Sequence, residues 1–435
     1  MTHNRSGAVR RKVVQHDFYD SADQVGGVVL LNNPTNGSWE YDEYLRLLTT
    51  KRYSRIASWE AHSTAQCYFV CADGVYPKLQ SYVKERQVSH PHLRLFQFFP
   101  LCDAVIGDMD SYVTSYEKDG CERPSSTPEG GYGTVDDIPV EVLDTIHHRC
   151  RSAAALFREV DGSVPDTPLN GWKMLHEEHS HPLLRPLWLH IQCQITTDFK
   201  KALTLLKRLR KRYPDENAVV LPPVLRSPAA ARILETGGGV VDQRNCGCDN
   251  DPIQERELCV AASQVEALLL PTVVAVGAFG GRFDHEVGAI STMLSESHDA
   301  HIVLINLFNT VFACQGGGWT QIVRQPEYED KTCGLVNYGR MTECETSGLL
   351  WNVVKGRGKP SVTNDFVFDF GAFISVCNIV RREVITVDLR CLLTSVGESP
   401  ADATTATGAS DCEAQRGRGP PVVFSILRRQ KKEGG

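Results

Sequence analysis

The feature that most constrains this chain is a change of rhythm near residue 315. Before it, short apolar runs each end in Gly, Asp or Asn. Val28 to Leu31 precedes Asn32-Asn33-Pro34, and Tyr68 to Val70 precedes Cys71-Ala72-Asp73-Gly74. Ala104 to Ile106 precedes Gly107-Asp108-Met109-Asp110-Ser111, and Val273 to Val276 precedes a Gly-rich loop. Continuous apolar runs of this kind suit strands buried on both faces of a parallel sheet. Helical periods lie between or after them. Phe199, Ala202, Leu203, Leu206 and Leu209 share one face, with Thr196 or Thr197 as cap and Pro214 as stop. Phe283, Val287, Ile290 and Leu294 predict a second apolar face.

After residue 315 the segments shorten to TQIVRQ, CGLVNYG, GLLWNVV, DFVFDFG, FISVCNIV, EVITVDL and PVVFSIL. Val384, Thr386 and Asp388 alternate with Ile385 and Val387, the period of a strand with one buried face. Closely spaced short strands predict a β-sandwich. The expected fold class is therefore α/β: a parallel-sheet, Rossmann-like N-terminal domain followed by a C-terminal all-β sandwich domain.

A chain of 435 residues exceeds one ordinary domain. The expected division is an N-terminal extension over 1–27, an α/β domain over 28–312 and a sandwich over 313–435. Three polar stretches, at about 121–187, 214–258 and 396–419, read as surface insertions, the first enclosing a helix over VEVLDTIHHRCRSAAALFREV. The amino terminus lacks the apolar core of a secretory signal. Its basic stretch is compatible with another targeting signal, a reading that Asp17 and Asp20 weaken. No apolar run reaches the roughly 18 residues of a membrane span. Fifteen cysteines without paired CxxC spacing point to reduced thiols and a cytoplasmic protein. A net charge of -7 removes the general attraction to nucleic acid, so any phosphate chemistry must be local.

The residues best placed for such chemistry are carboxylates just after strands. Ligands of an open parallel sheet bind beyond the carboxyl ends of its strands, where Asp73, Asp108 and Asp110 can converge. Two carboxylates two residues apart on a turn suit a hard cation such as Mg²⁺, which completes its shell with water and substrate phosphates. Asp198, in the first turn of its helix, can supply another. The plainer reading is that each Asp ends a strand or caps a helix. A D-x-D turn also occurs in phosphatases with an aspartyl nucleophile, so the reaction stays open at this point. The second cluster is GAFGGRFDH at 277–285, between a strand and a helix. Its glycines allow backbone N–H groups to approach an anion, and Arg282 can bind phosphate with two donors. It matches neither G-x-G-x-x-G nor G-x-x-x-x-G-K-[ST].

CADG at 71–74, IGDMDS at 106–111, QITTDFKKAL at 194–203, GAFGGRFDH at 277–285, CGLVNYG at 333–339 and SGLLWNV at 347–353 together resemble, in order, thiamine pyrophosphokinase of the eukaryotic type. LLNNP at 30–34, FISVCN at 373–378 and PVVFSIL at 421–427 extend the resemblance over about half the chain. It implies Mg²⁺-dependent transfer of pyrophosphate from ATP to thiamine, giving thiamine diphosphate and AMP. By the same resemblance Asp108, Asp110 and Asp198 are the metal ligands, and Asp73 joins them as a catalytic carboxylate. Gln194, Thr197, Gly281, Arg282, Asp284 and His285 look like the ATP and phosphate side. Trp351, Ser375 and Asn378 look like the thiamine side, which in that family is completed by a second subunit, so a homodimer is implied. Two departures stand out: Ile195 where the family has an acid, and Val75-Tyr76-Pro77 where it has small and amide residues. The alternatives carried forward are a Mg²⁺-dependent phosphohydrolase and a catalytically silent nucleotide- or thiamine-binding protein.

Overall fold

Valine-rich runs flanked by glycine and aspartate become strands because their β-branched side chains pack on both faces of a sheet. The computed structural model describes residues 10–15, 25–52, 67–90, 93, 96, 99–109, 131–163, 186–214, 272–316, 318–338, 342–353, 367–368, 370, 374–391 and 421–429. They fall into two units. One lies within Asp17–Val219 and Pro271–Thr310, the other within Met1–His16 and Val311–Gly435. The first strand in the chain, β1 (Arg10–Gln15), belongs to the second unit.

The first unit is α/β. Its strands are β2 (Val25–Leu30), β3 (Tyr68–Ala72), β4 (Ala104–Gly107), β5 (Leu187–His190), β6 (Thr272–Val276) and β7 (His301–Ile305). Their order is β7-β6-β2-β3-β4-β5, and every neighbouring pair is parallel. Val29 lies between Val70 and Ala275, and all three are fully buried, as a two-sided sheet requires. The helices are α1 (Ser38–Lys51), α2 (Tyr76–Arg86), α3 (Val140–Ser163), α4 (Asp198–Arg212) and α5 (Phe283–Glu296).

Helix α4 buries the expected residues, Phe199, Ala202, Leu203, Leu206 and Leu209, together with Leu205. Gly27 admits it to the sheet: a Cβ there would lie 2.7 Å from Leu206 Cδ1. Of the two candidate caps the structure uses Thr197, whose hydroxyl accepts from Lys200 N at 3.2 Å. Helix α5 differs from expectation. Its buried residues are Ala289, Thr292 and Met293, while Phe283 and Val287 are exposed. The inward face is thus Ala289, Thr292 and Met293 rather than the stripe of Phe283 and Val287.

The polar stretch at 121–187 is not wholly a surface excursion. Tyr132 bridges to Ile191 just beyond β5, and α3 buries Leu143, Ile146, His147 and Cys150. Tyr68 and His147 share a hydrogen bond at 2.9 Å, and the His147 ring stacks on Tyr213 with centroids 3.7 Å apart. The helix expected over VEVLDTIHHRCRSAAALFREV is present as α3; what differs from expectation is that it packs against the unit. The expected insertions at 214–258 and 396–419 lie outside the described residues apart from Pro214.

In the second unit, β8 (Asn309–Cys314), β10 (Glu329–Val336), β13 (Ser375–Ile379) and β15 (Val422–Arg428) run in the order β13-β10-β15-β8. A further sheet has the order β1-β9-β14-β11-β12, with β9 (Gly318–Val323), β11 (Thr342–Ser347), β12 (Val367–Phe368) and β14 (Val384–Cys391). It is antiparallel apart from β1 on β9. Ile385, Val387 and Leu389 are fully buried, so the alternation in β14 does mark an inward face. GLLWNVV is not a strand. Gly348 turns the chain at φ +82°, and a Cβ there would lie 2.5 Å from Val384 O.

Candidate functional site

Strand order locates the site. From β2 the chain proceeds outward through β3, β4 and β5, then returns to place β6 on the other side of β2. Crevices of this kind, where the winding reverses, are where open α/β sheets take ligands. The loops after β2 and β6 meet there. Gly280 and Gly281 both have φ +94°. A Cβ on Gly280 would lie 2.7 Å from Thr35 Oγ1, and one on Gly281 would lie 2.7 Å from Asn33 Oδ1. Asn33 is buried, and its Oδ1 accepts from Thr35 N at 3.0 Å and Thr35 Oγ1 at 2.9 Å. The glycines thus let two loops close on each other, and Gly280 N–H is taken up by Glu286 Oε1 at 2.7 Å.

The carboxylates follow the neighbouring strands. Asp73 opens a 3-10 turn directly after β3 and is buried, its Oδ1 accepting from Gly74 N at 2.5 Å. Gly107, the last residue of β4, makes room for it: a Cβ there would be 2.7 Å from Asp73 Cγ. Asp108 comes next in sequence, and its Oδ2 accepts from Gln194 Nε2 at 3.0 Å. Met109, which follows, is buried and at φ +62°, a backbone region where a side chain is uncommon. Asp110 lies outside the described residues. The structure therefore brings Asp73, Asp108 and Gln194 to adjoining strand ends.

Asp198 occupies the first turn of α4, where the helix dipole favours a negative charge. Its Oδ1 accepts from Lys201 Nζ at 3.0 Å. Helix α5 approaches this end of α4, since a Cβ on Gly288 would lie 4.0 Å from Thr197 Cγ2. The loop before α4 exposes Ile195 almost completely, at 95%. In the same loop the Cys193 thiol is held below its ordinary pKa, chiefly by the Thr196 hydroxyl and then by backbone N–H groups. Among the described residues no three His, Cys, Asp or Glu side chains are grouped as a metal cage.

Arg282 and Asp284 bond each other, at 3.1 Å from Nε and 2.5 Å from Nη2. Each holds the other charged: the aspartate lowers its pKa and the arginine raises its own. Both are more than 60% exposed, so the pair contributes little stability and opens at small cost. His285 is exposed in the first turn of α5.

Trp351, Ser375 and Asn378 meet in the second unit. The buried Asn378 side chain accepts from Trp351 N at 3.2 Å and donates to Trp351 O at 2.8 Å. Its amide also donates to Ser375 Oγ at 3.0 Å. The backbone of Trp351 is thereby fixed while the residue is 58% exposed and stands outside the core. Phe370, Ile374 and Val376 are exposed in the same unit, and Phe370 stacks on Tyr338 with centroids 5.3 Å apart.

Residues 320–393, which contain all three of these residues, match the vitamin B1 binding domain of thiamin pyrophosphokinase. The chain is 27% identical over 227 residues to thiamine pyrophosphokinase 1 of Arabidopsis thaliana, covering 48% of this chain and 79% of that protein. Thiamine pyrophosphokinase 2 of the same plant is 31% identical over 117 residues, covering 27% of this chain and 40% of that protein. The chain is a relative of the thiamine pyrophosphokinases. A solved thiamin pyrophosphokinase from Candida albicans aligns with 96% of this chain and 93% of its own, at 13% identity and a TM-score of 0.43.

Two features of this thiamine pyrophosphokinase relative escape a reading of motifs. Lys201 lies inside QITTDFKKAL yet is buried, at 2% exposure; the signal was a lysine four residues before the buried Leu205. Asn33 and Thr35 seat the glycine loop, and only the unusual run Asn32-Asn33-Pro34-Thr35-Asn36 hinted at it.

Proposed function

We propose that the chain is a thiamine pyrophosphokinase, moving a pyrophosphoryl group from ATP to the hydroxyl of thiamine and releasing AMP. The observation that carries this is the meeting of Asp73, Asp108 and Gln194 at adjoining strand ends in a chain matched by the vitamin B1 binding domain. The donors suit Mg²⁺, because carboxylate oxygens are the ligands it prefers and it is ordinarily held by one or two of them. Asp108 and Asp198 would hold it, with Asp110 as the third ligand that the family resemblance implies. The cation would draw charge from the polyphosphate and favour attack at the β-phosphorus.

The chain's own residues do the rest. The Gly277–Arg282 loop and the start of α5 receive the phosphates, with Gly281, Thr197 and Gln194 lining their path. Arg282 exchanges Asp284 for the AMP leaving group, where charge develops as the bond between the α-phosphate oxygen and the β-phosphorus breaks. Asp73, or Asp198, accepts the hydroxyl proton as the new oxygen–phosphorus bond forms. His285 stays at the nucleotide end. Trp351 stacks on a ring of thiamine, held in place by Asn378 and Ser375. By the same reading the second unit is a β-sandwich, two copies pair so that one supplies Trp351 to the other's carboxylates, and the enzyme works in the cytoplasm.

The test is thiamine-dependent AMP formation from ATP. Asp108→Asn should lower turnover by about a hundredfold or more while leaving the melting temperature unchanged. Trp351→Ala should raise the KM for thiamine by about tenfold and leave that for ATP alone. Wild-type turnover in Asp108→Asn contradicts the assignment.

A further inference from the structure

Lys201 is a charged side chain in a place where lysines are seldom found unless paired. It is 2% exposed, one turn into α4, beneath an aspartate whose side chain is 29% exposed. Spacing of three residues keeps the two stacked on one face of the helix. An ammonium has three N–H donors. One goes to Asp198 Oδ1 at 3.0 Å, and Lys201 Nζ has no other acceptor among the described residues. A buried ion pair of this kind is a weak source of stability, since an apolar side chain of similar volume often does as well.

We propose that Lys201 is the positioning residue of the metal and polyphosphate site. It grips one oxygen of Asp198 and offsets its charge, so the site takes a divalent cation with a polyphosphate and rejects the bare ion. This rests on the reading of Asp198 as a metal ligand. A bare cation approaching Asp198 meets a positive charge already present in a medium that screens poorly. A metal–nucleotide complex brings net negative charge and meets the same lysine as an attraction.

Binding of Mn²⁺ to the full chain, followed by electron paramagnetic resonance with and without α,β-methylene-ATP, tests this without turnover. The unmutated protein should bind free Mn²⁺ weakly and bind it far more tightly with the nucleotide. Lys201→Met should bind free Mn²⁺ about tenfold more tightly and lose about the same factor from the gain on adding nucleotide. Lys201→Arg, which keeps the charge, should retain the unmutated pattern. If free-ion affinity in Lys201→Met stays within about twofold of the unmutated protein while Asp198→Asn weakens the nucleotide complex, the role of Lys201 is overturned and the metal reading stands. If Asp198→Asn changes nothing, both fall. Should Lys201→Met fail to fold, the unmutated protein still decides: free Mn²⁺ bound as tightly as with nucleotide overturns the proposal.

Discussion

The side chains of Arg52 and Asp103 are 2% and 1% exposed, and they meet at 2.5 Å. Burial raises the pKa of the Asp103 carboxyl, and the charge of Arg52 acts against that rise. Asp103 Oδ2 also accepts from Phe69 N at 2.7 Å, so the pair ties β3 to the segment leading into β4. Removing one partner leaves an uncompensated buried charge. Arg52→Met should therefore cost about 3–5 kcal/mol in urea unfolding, and adding Asp103→Leu should restore only part of it, because Phe69 N then loses its acceptor. A double variant as unstable as the single one would contradict this account. At this scale the sequence offers residue types without their surroundings. Asp73, Asp108 and Asp198 are legible because each follows a strand or opens a helix. Lys201 is not, since burial of its ammonium depends on the fit of α4 to the sheet.

The glycine loop shows how an element acquires its shape. Gly280 sits at φ +94°, and a Cβ would clash with Thr35 Oγ1 at 2.7 Å. Gly280→Ala should destabilise the protein by about 1–2 kcal/mol from backbone strain alone and should weaken ATP binding by moving the loop. Calorimetry together with the KM for ATP measures both, and an unchanged KM contradicts the loop's role. Helices α4 and α5 mark the limit of periodicity. The face of α4 is read correctly because its apolar residues outnumber the alternatives and all meet the sheet. In α5 Phe283 is 78% exposed and Ala289 is buried, because a period reports which residues share a face and not what covers it. Gly348 marks a similar limit, where one positive φ turns an apolar run out of strand geometry.

For the whole molecule, the described residues form an α/β unit and a unit built mainly of antiparallel strands, with Thr310 and Val311 falling in different units. The helix expected within the polar stretch at 121–187 is present as α3, yet the stretch is not wholly the surface insertion its composition suggests. Its composition is set by the Gly- and Ser-rich part, while its helix packs through Leu143, Ile146 and His147. No helix among the described residues is long and apolar enough to cross a membrane. The carboxylates lie in one unit and Trp351 in the other, and the proposed chemistry needs both. The most direct measurement is the product set from ATP and thiamine with Mg²⁺, separated by chromatography and identified by phosphorus resonance. AMP and thiamine diphosphate should appear in equal amounts, and neither without thiamine. Inorganic phosphate released in the absence of thiamine, or thiamine bound without turnover, would contradict the account.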